Sequence, residues 1–486
     1  MACKSIPFLY LLTVLMAKTG VDATIGVNWG RESAQRLIPS QVVDLLLQNG
    51  VKEARVYTSR TDLLQAFGGS GIGLMLSVND LSILQDYHEC MTWVQSRMPY
   101  FNVSSVRRIY VGNNPFVMGL LNNRAGLKEN MDAMYNLQKA LNDADWGHQI
   151  KVVVTHSSSQ LKPNITKPSE AEFRDEIKPE LSETLRFLEQ NNAPFVVDMI
   201  PPVDLLIYKM DTSFAFVGES TQVIKDVNGA IYTNIFEFMY DAYVWALIKL
   251  KAPKIKVIVG QVGWPTDGYS GGNASTVERF FKGLLPYVSS NKGTPLRPGA
   301  PIDTFVHALT DENKMPNDIM RHWGIYHSNG KPKFKIDLMG LGRDIYPSSA
   351  KGIMRMPERW CVFNGNQTDY PMVQKQFEHA CKNSDCSSLN PGGSCSDIGP
   401  NQSVSFAFNM YFQFKFQDEN ACSFNGLSII TVENPSTPKC MFPIEVVRGQ
   451  QENYVKPTPK AKGYHQSPNC VVSLFLLSLL GAFFWN

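Results

Sequence analysis

Two short stretches end in side chains placed to meet another molecule. Ile109-Tyr110-Val111-Gly112-Asn113-Asn114 and Val257-Ile258-Val259-Gly260-Gln261-Val262-Gly263-Trp264-Pro265 are apolar, β-branched runs that stop at polar or turn residues. Such a run reads as a buried parallel strand and the loop after it. In a barrel of parallel strands, reacting groups sit where the strands end. Here those ends carry Asn113, Asn114 and Gln261. An amide at neutral pH neither releases a proton as an acid nor attacks as a carboxylate, but it both donates and accepts hydrogen bonds. The carboxylates that could take over acid–base work, Asp198, Asp267 and Glu312, fall near the ends of other runs.

The elements that must position these residues follow from the hydropathy pattern. Strands are expected at 25–27, 54–57, 72–78, 108–111, 150–155, 194–200, 256–259 and 304–309. Helices are expected between them at 40–48, 61–67, 91–97, 131–141, 170–190, 234–250 and 276–285. Strand-then-helix units of this number and length favour an α/β chain folded as a closed (β/α)8 TIM barrel over an open sheet. Gly68-Gly69-Ser70-Gly71-Ile72-Gly73 follows a helix and leads into a strand. A phosphate-binding loop needs the opposite order, so this is a turn.

The chain has 486 residues and a net charge of +2, with no basic run of the kind that binds nucleic acid. Lys4, the apolar run Ile6–Met16 and the small residues before Thr24 read as a secretory signal peptide over residues 1–23. The barrel is expected over 24–342 and a linker over 343–358. A six-cysteine domain follows over 359–444, then a polar stalk over 445–469. The uncharged apolar tail at 470–486 fits the signal for a glycolipid (GPI) anchor. Together these ends place the chain outside the cell, at the outer face of the plasma membrane. Sequons at Asn102, Asn164, Asn273, Asn366 and Asn401 are candidate glycosylation sites. Cys361, Cys381, Cys386, Cys395, Cys422 and Cys440 crowd into one segment, which in an oxidising compartment means three disulfides with fifteen possible pairings. The cluster lacks paired CxxC spacing, so no metal is expected, nor any cofactor. Cys90 stands apart and is expected to be a free, buried thiol on a helix.

Several motifs in order carry a resemblance. Gly26-Val27-Asn28-Trp29-Gly30, Arg55-Val56-Tyr57, Gly263-Trp264-Pro265, Asp311-Glu312-Asn313-Lys314 and His322-Trp323-Gly324-Ile325-Tyr326 resemble the plant β-1,3-glucanases of glycoside hydrolase family 17 over about residues 24–340. The resemblance implies a glucan cleft lined by Trp29, Arg55, Tyr57, Asn113, Trp264, Glu312 and Trp323. It also exposes departures. Where that family carries its general-acid glutamate, in Val-Gly-Asn-Glu, this chain has Asn114. Where it carries its nucleophile, in Ser-Glu-Thr-Gly-Trp-Pro, this chain has Gln261. A further family glutamate is Met320 here, and the Asn-Ile-Tyr-Pro stretch reads Asp198-Met199-Ile200-Pro201. A retaining glycosidase needs two carboxyl groups about 5 Å apart, so no catalytic pair is expected at these positions. Trp360-Cys361-Val362, Asn390-Pro391-Gly392-Gly393-Ser394-Cys395 and Ser405-Phe406-Ala407-Phe408-Asn409 resemble the X8 module, which implies β-1,3-glucan binding. Tyr411, Phe412 and Phe414 are its candidate sugar-stacking rings. The expected function is binding of β-1,3-glucan (callose) without hydrolysis, in a structural or signalling role. The alternatives are an endo-1,3-β-glucosidase using other carboxylates, and a scaffold for a cell-surface protein partner.

Overall fold

Runs of Val, Ile and Leu that suit strands buried on both faces form β1 (Ile25–Trp29), β2 (Glu53–Val56), β3 (Gly73–Val78), β4 (Val106–Val111), β5 (Lys151–Val153), β6 (Thr155–Ser157), β7 (Phe195–Asp198), β8 (Val257–Val262) and β9 (Thr304–Val306). This computed structural model describes residues 22–112, 114–124 and 126–447. Asn113, the polar stalk beyond residue 447, the apolar tail and all but the end of the signal peptide lie outside the described residues. The strands pair in parallel in the order β5-β4-β3-β2-β1-β9-β8-β7-β6. β5 and β6 are halves of one expected strand interrupted at Val154. The first half pairs with β4 and the second with β7, which brings the sheet round on itself. The eight expected strands are therefore present as nine pieces.

Helices α1 (Pro39–Gln48), α2 (Thr61–Phe67), α3 (Tyr87–Gln95), α4 (Pro115–Leu121), α5 (Leu127–Asp143), α6 (Lys178–Gln190), α7 (Ile235–Lys249) and α8 (Ala274–Ser289) lie along the sheet. In α5 the buried stripe Leu127, Met131, Met134, Leu137 and Leu141 repeats every three or four residues and faces the core. α3 starts at Asp86, whose carboxylate accepts from the His88 and Glu89 N–H groups, and it buries Cys90 as a free thiol. Burial pushes that thiol up to about 11, as expected of an inert core cysteine.

One expectation for the barrel needs correction. The helix read over 170–190 begins only at Lys178. Pro179 lacks an N–H and belongs in the first helical turn. The residues before it instead form 3₁₀ turns and a bridge between Phe173 and Leu161. After β9, a 3₁₀ turn at Asp318–Met320 is the sole helical element up to residue 340, and the chain folds back to bury Phe334, Ile336 and Leu338 against the barrel.

The second domain pairs β10 (Trp360–Phe363) with β11 (Ser428–Thr431) antiparallel and packs them with α9 (Tyr370–Lys382) and α10 (Pro400–Phe414). Of the fifteen pairings left open, the structure has Cys361–Cys422, Cys381–Cys386 and Cys395–Cys440. Two small apolar clusters form its core, one around Phe408, Phe412 and Phe424 and one around Trp360, Phe406 and Phe442. Phe412 is fully buried and so cannot stack on a sugar. Tyr411 and Phe414 are partly buried against the two clusters.

Candidate functional site

The carboxyl ends of the strands converge on one buried ion pair. Arg55, near the end of β2, donates from Nη1 to Asp198 Oδ1 at 2.6 Å and from Nη2 to Oδ2 at 3.2 Å, across the barrel at the end of β7. Nη1 also donates to the Gly260 carbonyl at 2.8 Å. Burial works against the guanidinium charge, but Asp198, Tyr57 and Tyr110 hold it well above its ordinary range. The rings of Tyr110 and Tyr57 lie 4.8 and 5.1 Å from it. Gly260 is required here because a Cβ would stand 2.5 Å from Val196 Cγ1 and 3.0 Å from Arg55 Nη1. β8 shifts register against β7 between Val259 and Gln261.

Gln261 is 7 % exposed. The Tyr57 hydroxyl donates to its Oε1 at the long distance of 3.5 Å, and burial holds that phenol well above its ordinary range. Asn114 adopts a left-handed backbone, φ 48°, which asparagine tolerates better than most residues. It stands immediately before α4, and its Oδ1 accepts from Thr155 Oγ1 at 3.0 Å. Both amides are therefore already hydrogen-bonded, each through one carbonyl oxygen.

Glu312 follows β9 and is 6 % exposed. Burial pushes its carboxyl up to about 7, with Glu32 and Asp311 adding to the effect and a hydrogen bond from the Glu32 N–H at 3.0 Å opposing it. Gly30 makes room for it, since a Cβ there would fall 1.8 Å from Glu312 Oε1. A carboxyl that titrates near neutrality can hold or release a proton, which is the property of a general acid.

The two other carboxylates are committed. Asp198 is clasped by Arg55. Asp267 accepts from Ser394 N at 2.7 Å, Ser394 Oγ at 2.6 Å and Ser388 Oγ at 2.9 Å, all in the second domain.

Of the expected cleft aromatics, Trp29 is 1 % exposed, Trp264 3 % and Trp323 2 %. Trp264 donates to the Gly271 carbonyl and packs against Phe216 and Phe280. Trp323 donates to the Ile319 carbonyl and lies against His307. These rings shape the walls more than they offer open faces. Met320 is partly exposed in its 3₁₀ turn.

Two residues of the site were missed in the sequence. Burial and Arg55 hold His307 down at about 3, so it is neutral. Asn28 donates to the Gly260 carbonyl at 3.0 Å. The signal for both was present: each lies within or just after an apolar run that forms a barrel strand. Buried polar atoms without a partner gather here too, namely Asn28 Oδ1, Trp29 Nε1, Arg55 Nε and His307 Nδ1. Buried polar groups are normally satisfied, so this density marks the strand ends as a polar site. No His/Cys/Asp/Glu group suited to a metal ion occurs among the described residues.

With this geometry in view, residues 25–338 match the model of the glycosyl hydrolases family 17, and residues 359–429 match the X8 domain. The chain belongs to glycosyl hydrolase family 17. It is 34 % identical to glucan endo-1,3-beta-glucosidase 8 of Arabidopsis thaliana, over 88 % of this chain and 91 % of that one. It is 31 % identical to glucan endo-1,3-beta-glucosidase 9 of the same plant, over 98 % of this chain and 99 % of that one. Among solved structures it is similar to CJP38, a beta-1,3-glucanase and allergen of Cryptomeria japonica pollen. The TM-score is 0.61 at 27 % identity, covering 65 % of this chain and 99 % of that one. The family-17 barrel and the X8 domain are thus both present in one chain.

Proposed function

We propose that this family-17 chain binds β-1,3-glucan at the strand-end face of its barrel without hydrolysing it. Its role is that of a structural or signalling protein of the cell surface. The observation that carries the reading is the pair of amides, Asn114 and Gln261, at the two strand ends where the family resemblance expects the acid and the nucleophile. Neither can perform those steps. Both can hydrogen-bond sugar hydroxyls, and we read Trp29, Arg55, Tyr57, Trp264, Glu312 and Trp323 as the residues that surround the bound glucan. Hydrolysis by a relocated pair is disfavoured by the fate of the other carboxylates. Asp198 and Asp267 are taken up in ion-pair and hydrogen-bond contacts, and Asp311, the carboxylate next to Glu312, is paired with Lys333.

The compartment belongs to the same reading: secretion, glycosylation and a glycolipid anchor. All five sequon asparagines are exposed, which suits modification. No helix of the described residues is long and apolar enough to cross a membrane, and the tail lies outside them.

A pull-down on insoluble β-1,3-glucan tests the binding. The purified chain sediments with the glucan and is released by soluble laminari-oligosaccharide. A chain that stays in the supernatant, while capturing a cell-surface protein, is a scaffold instead.

A further inference from the structure

The second domain does not hang from a free linker. It contacts the loops that follow three neighbouring strands, β8, β9 and β1, all on the strand-end face. The β8 loop contributes Asp267, which accepts the three hydrogen bonds from Ser388 and Ser394. The β9 loop contributes Arg321, paired with Asp385 at 3.2 Å, and His322, whose Nε2 lies 2.9 Å from Ser387 Oγ and 3.2 Å from Asp385 Oδ2. The β1 loop contributes Gln35, which donates to the Gln413 carbonyl at 2.8 Å. The contact is close and partly buried. The Asp385 side chain is 1 % exposed, and a Cβ on Gly392 would come within 2.6 Å of the Ser270 Cα. The connecting segment is pinned as well: Gly352 accepts from Gln41, Ser348 donates to Asn49, and Met356 donates to Glu445.

Two of these loops are the ones that cage Glu312. Its backbone N–H donates to the carbonyl of Arg321, the residue paired with Asp385. Its carboxylate accepts from Glu32, and in the same loop Ser33 donates to the Asp311 carbonyl and Ala34 to Asn313 Oδ1. One residue on from Ala34, Gln35 holds the second domain. The clamp and the cage therefore share their backbone.

We propose that the X8 domain is a fixed wall of the barrel's mouth, clamping the β1 and β9 loops that hold Glu312, so that one glucan chain in the cleft is gripped against both domains. The Asp318–Met320 turn is a further point of docking, since Asn390 of the second domain donates to Asp318 Oδ2 at 3.2 Å. The glucan in this statement rests on the binding function proposed above, whereas the clamp rests on the contacts alone.

The test uses the full chain and two variants altered only in the second domain, Asp385→Asn and the milder Ser388→Ala with Ser394→Ala. Backbone hydrogen exchange is followed in barrel segments 30–36 and 311–324, and affinity for a laminari-oligosaccharide is measured alongside. Loss of two or more such hydrogen bonds is expected to speed exchange in both barrel segments by about tenfold or more, with a comparable loss of affinity. Unchanged exchange in the barrel segments of both folded variants overturns the clamp. Faster exchange with unchanged affinity overturns the shared grip on glucan. A wild type that shows the coupled exchange but binds no oligosaccharide leaves the clamp standing, overturns the shared grip and sinks the glucan-binding function.

Discussion

At the scale of single residues, the amides behind the proposed lack of hydrolysis were legible before the fold. Asn114 and Gln261 are amides in any conformation, and their place after apolar runs put them at strand ends. What the amides touch was not legible. The Arg55–Asp198 pair joins residues 143 positions apart, and no local pattern encodes such a partner. Nor does sequence show that Asp267 faces the second domain rather than the cleft. Glu312 gives the sharpest residue-level tests. Gly30→Ala places a methyl group on the Glu312 carboxylate, so it is expected to destabilise the chain by about 1–3 kcal/mol and to weaken glucan binding. Thermal unfolding and the pull-down read the two effects. The pH test follows from burial. The Glu312 carboxyl is raised from 4.5 to about 7 in the folded chain, so the unfolded chain ionises first as pH rises. The proton-bound carboxyl fits the fold without penalty below pH 4.5, and that advantage is lost as pH rises to about 7. Glu312→Gln escapes the loss. Its stability relative to wild type is expected to climb between those pH values by about 1–3 kcal/mol and then level off. A flat difference across the window, measured by denaturant unfolding, contradicts a buried carboxyl there. Global stability is a poorer readout, because the neutral buried His156 and His307 contribute with the opposite slope.

At the scale of elements, periodicity located the strands and most helices, since burial on one or both faces writes a regular spacing into the chain. It failed where a backbone detail decided the outcome. The break at Val154 lets one strand serve two neighbours, and Pro179 sets where α6 begins; apolar spacing reports neither. In the second domain the cysteines were legible but not their partners, because pairing depends on which elements the fold brings together. The consequence is measurable. Cys395–Cys440 spans 45 residues and Cys381–Cys386 spans 5. On a chain-entropy basis, removing the first by paired alanine substitution is expected to cost about 4 kcal/mol and removing the second about 2 kcal/mol. Denaturant unfolding followed by hydrogen exchange in α10 checks the ranking. Equal losses point to strain or residual structure rather than loop closure.

At the scale of the whole molecule, two compact units were legible from composition, but their docking was not. The residues that join them, such as Asp267, Arg321, His322 and Asp385, are ordinary charged loop residues in the sequence. Only the fold sets them against one another. Burial opposes the charge on His322, but Asp385 and Asp311 raise it to about 10, so the joint carries a charged histidine at neutral pH. The result is a family-17 barrel with a buried Arg55–Asp198 pair at its strand ends, an X8 domain docked on its loops and amides at the two strand ends where the family resemblance expects the acid and the nucleophile. That last feature is the central claim, and a reducing-end assay on laminarin tests it most directly. The wild-type chain is expected to release no reducing ends. Asn114→Glu and Gln261→Glu are each expected to remain inactive, because the two groups act as a unit. The double variant Asn114→Glu with Gln261→Glu is expected to release detectable ends, limited by Met320 and by the left-handed backbone at position 114, which a glutamate adopts at a cost of about 1–2 kcal/mol. Hydrolysis by the wild-type chain that persists in Asn114→Ala with Gln261→Ala would contradict the account and place the chemistry on other carboxylates.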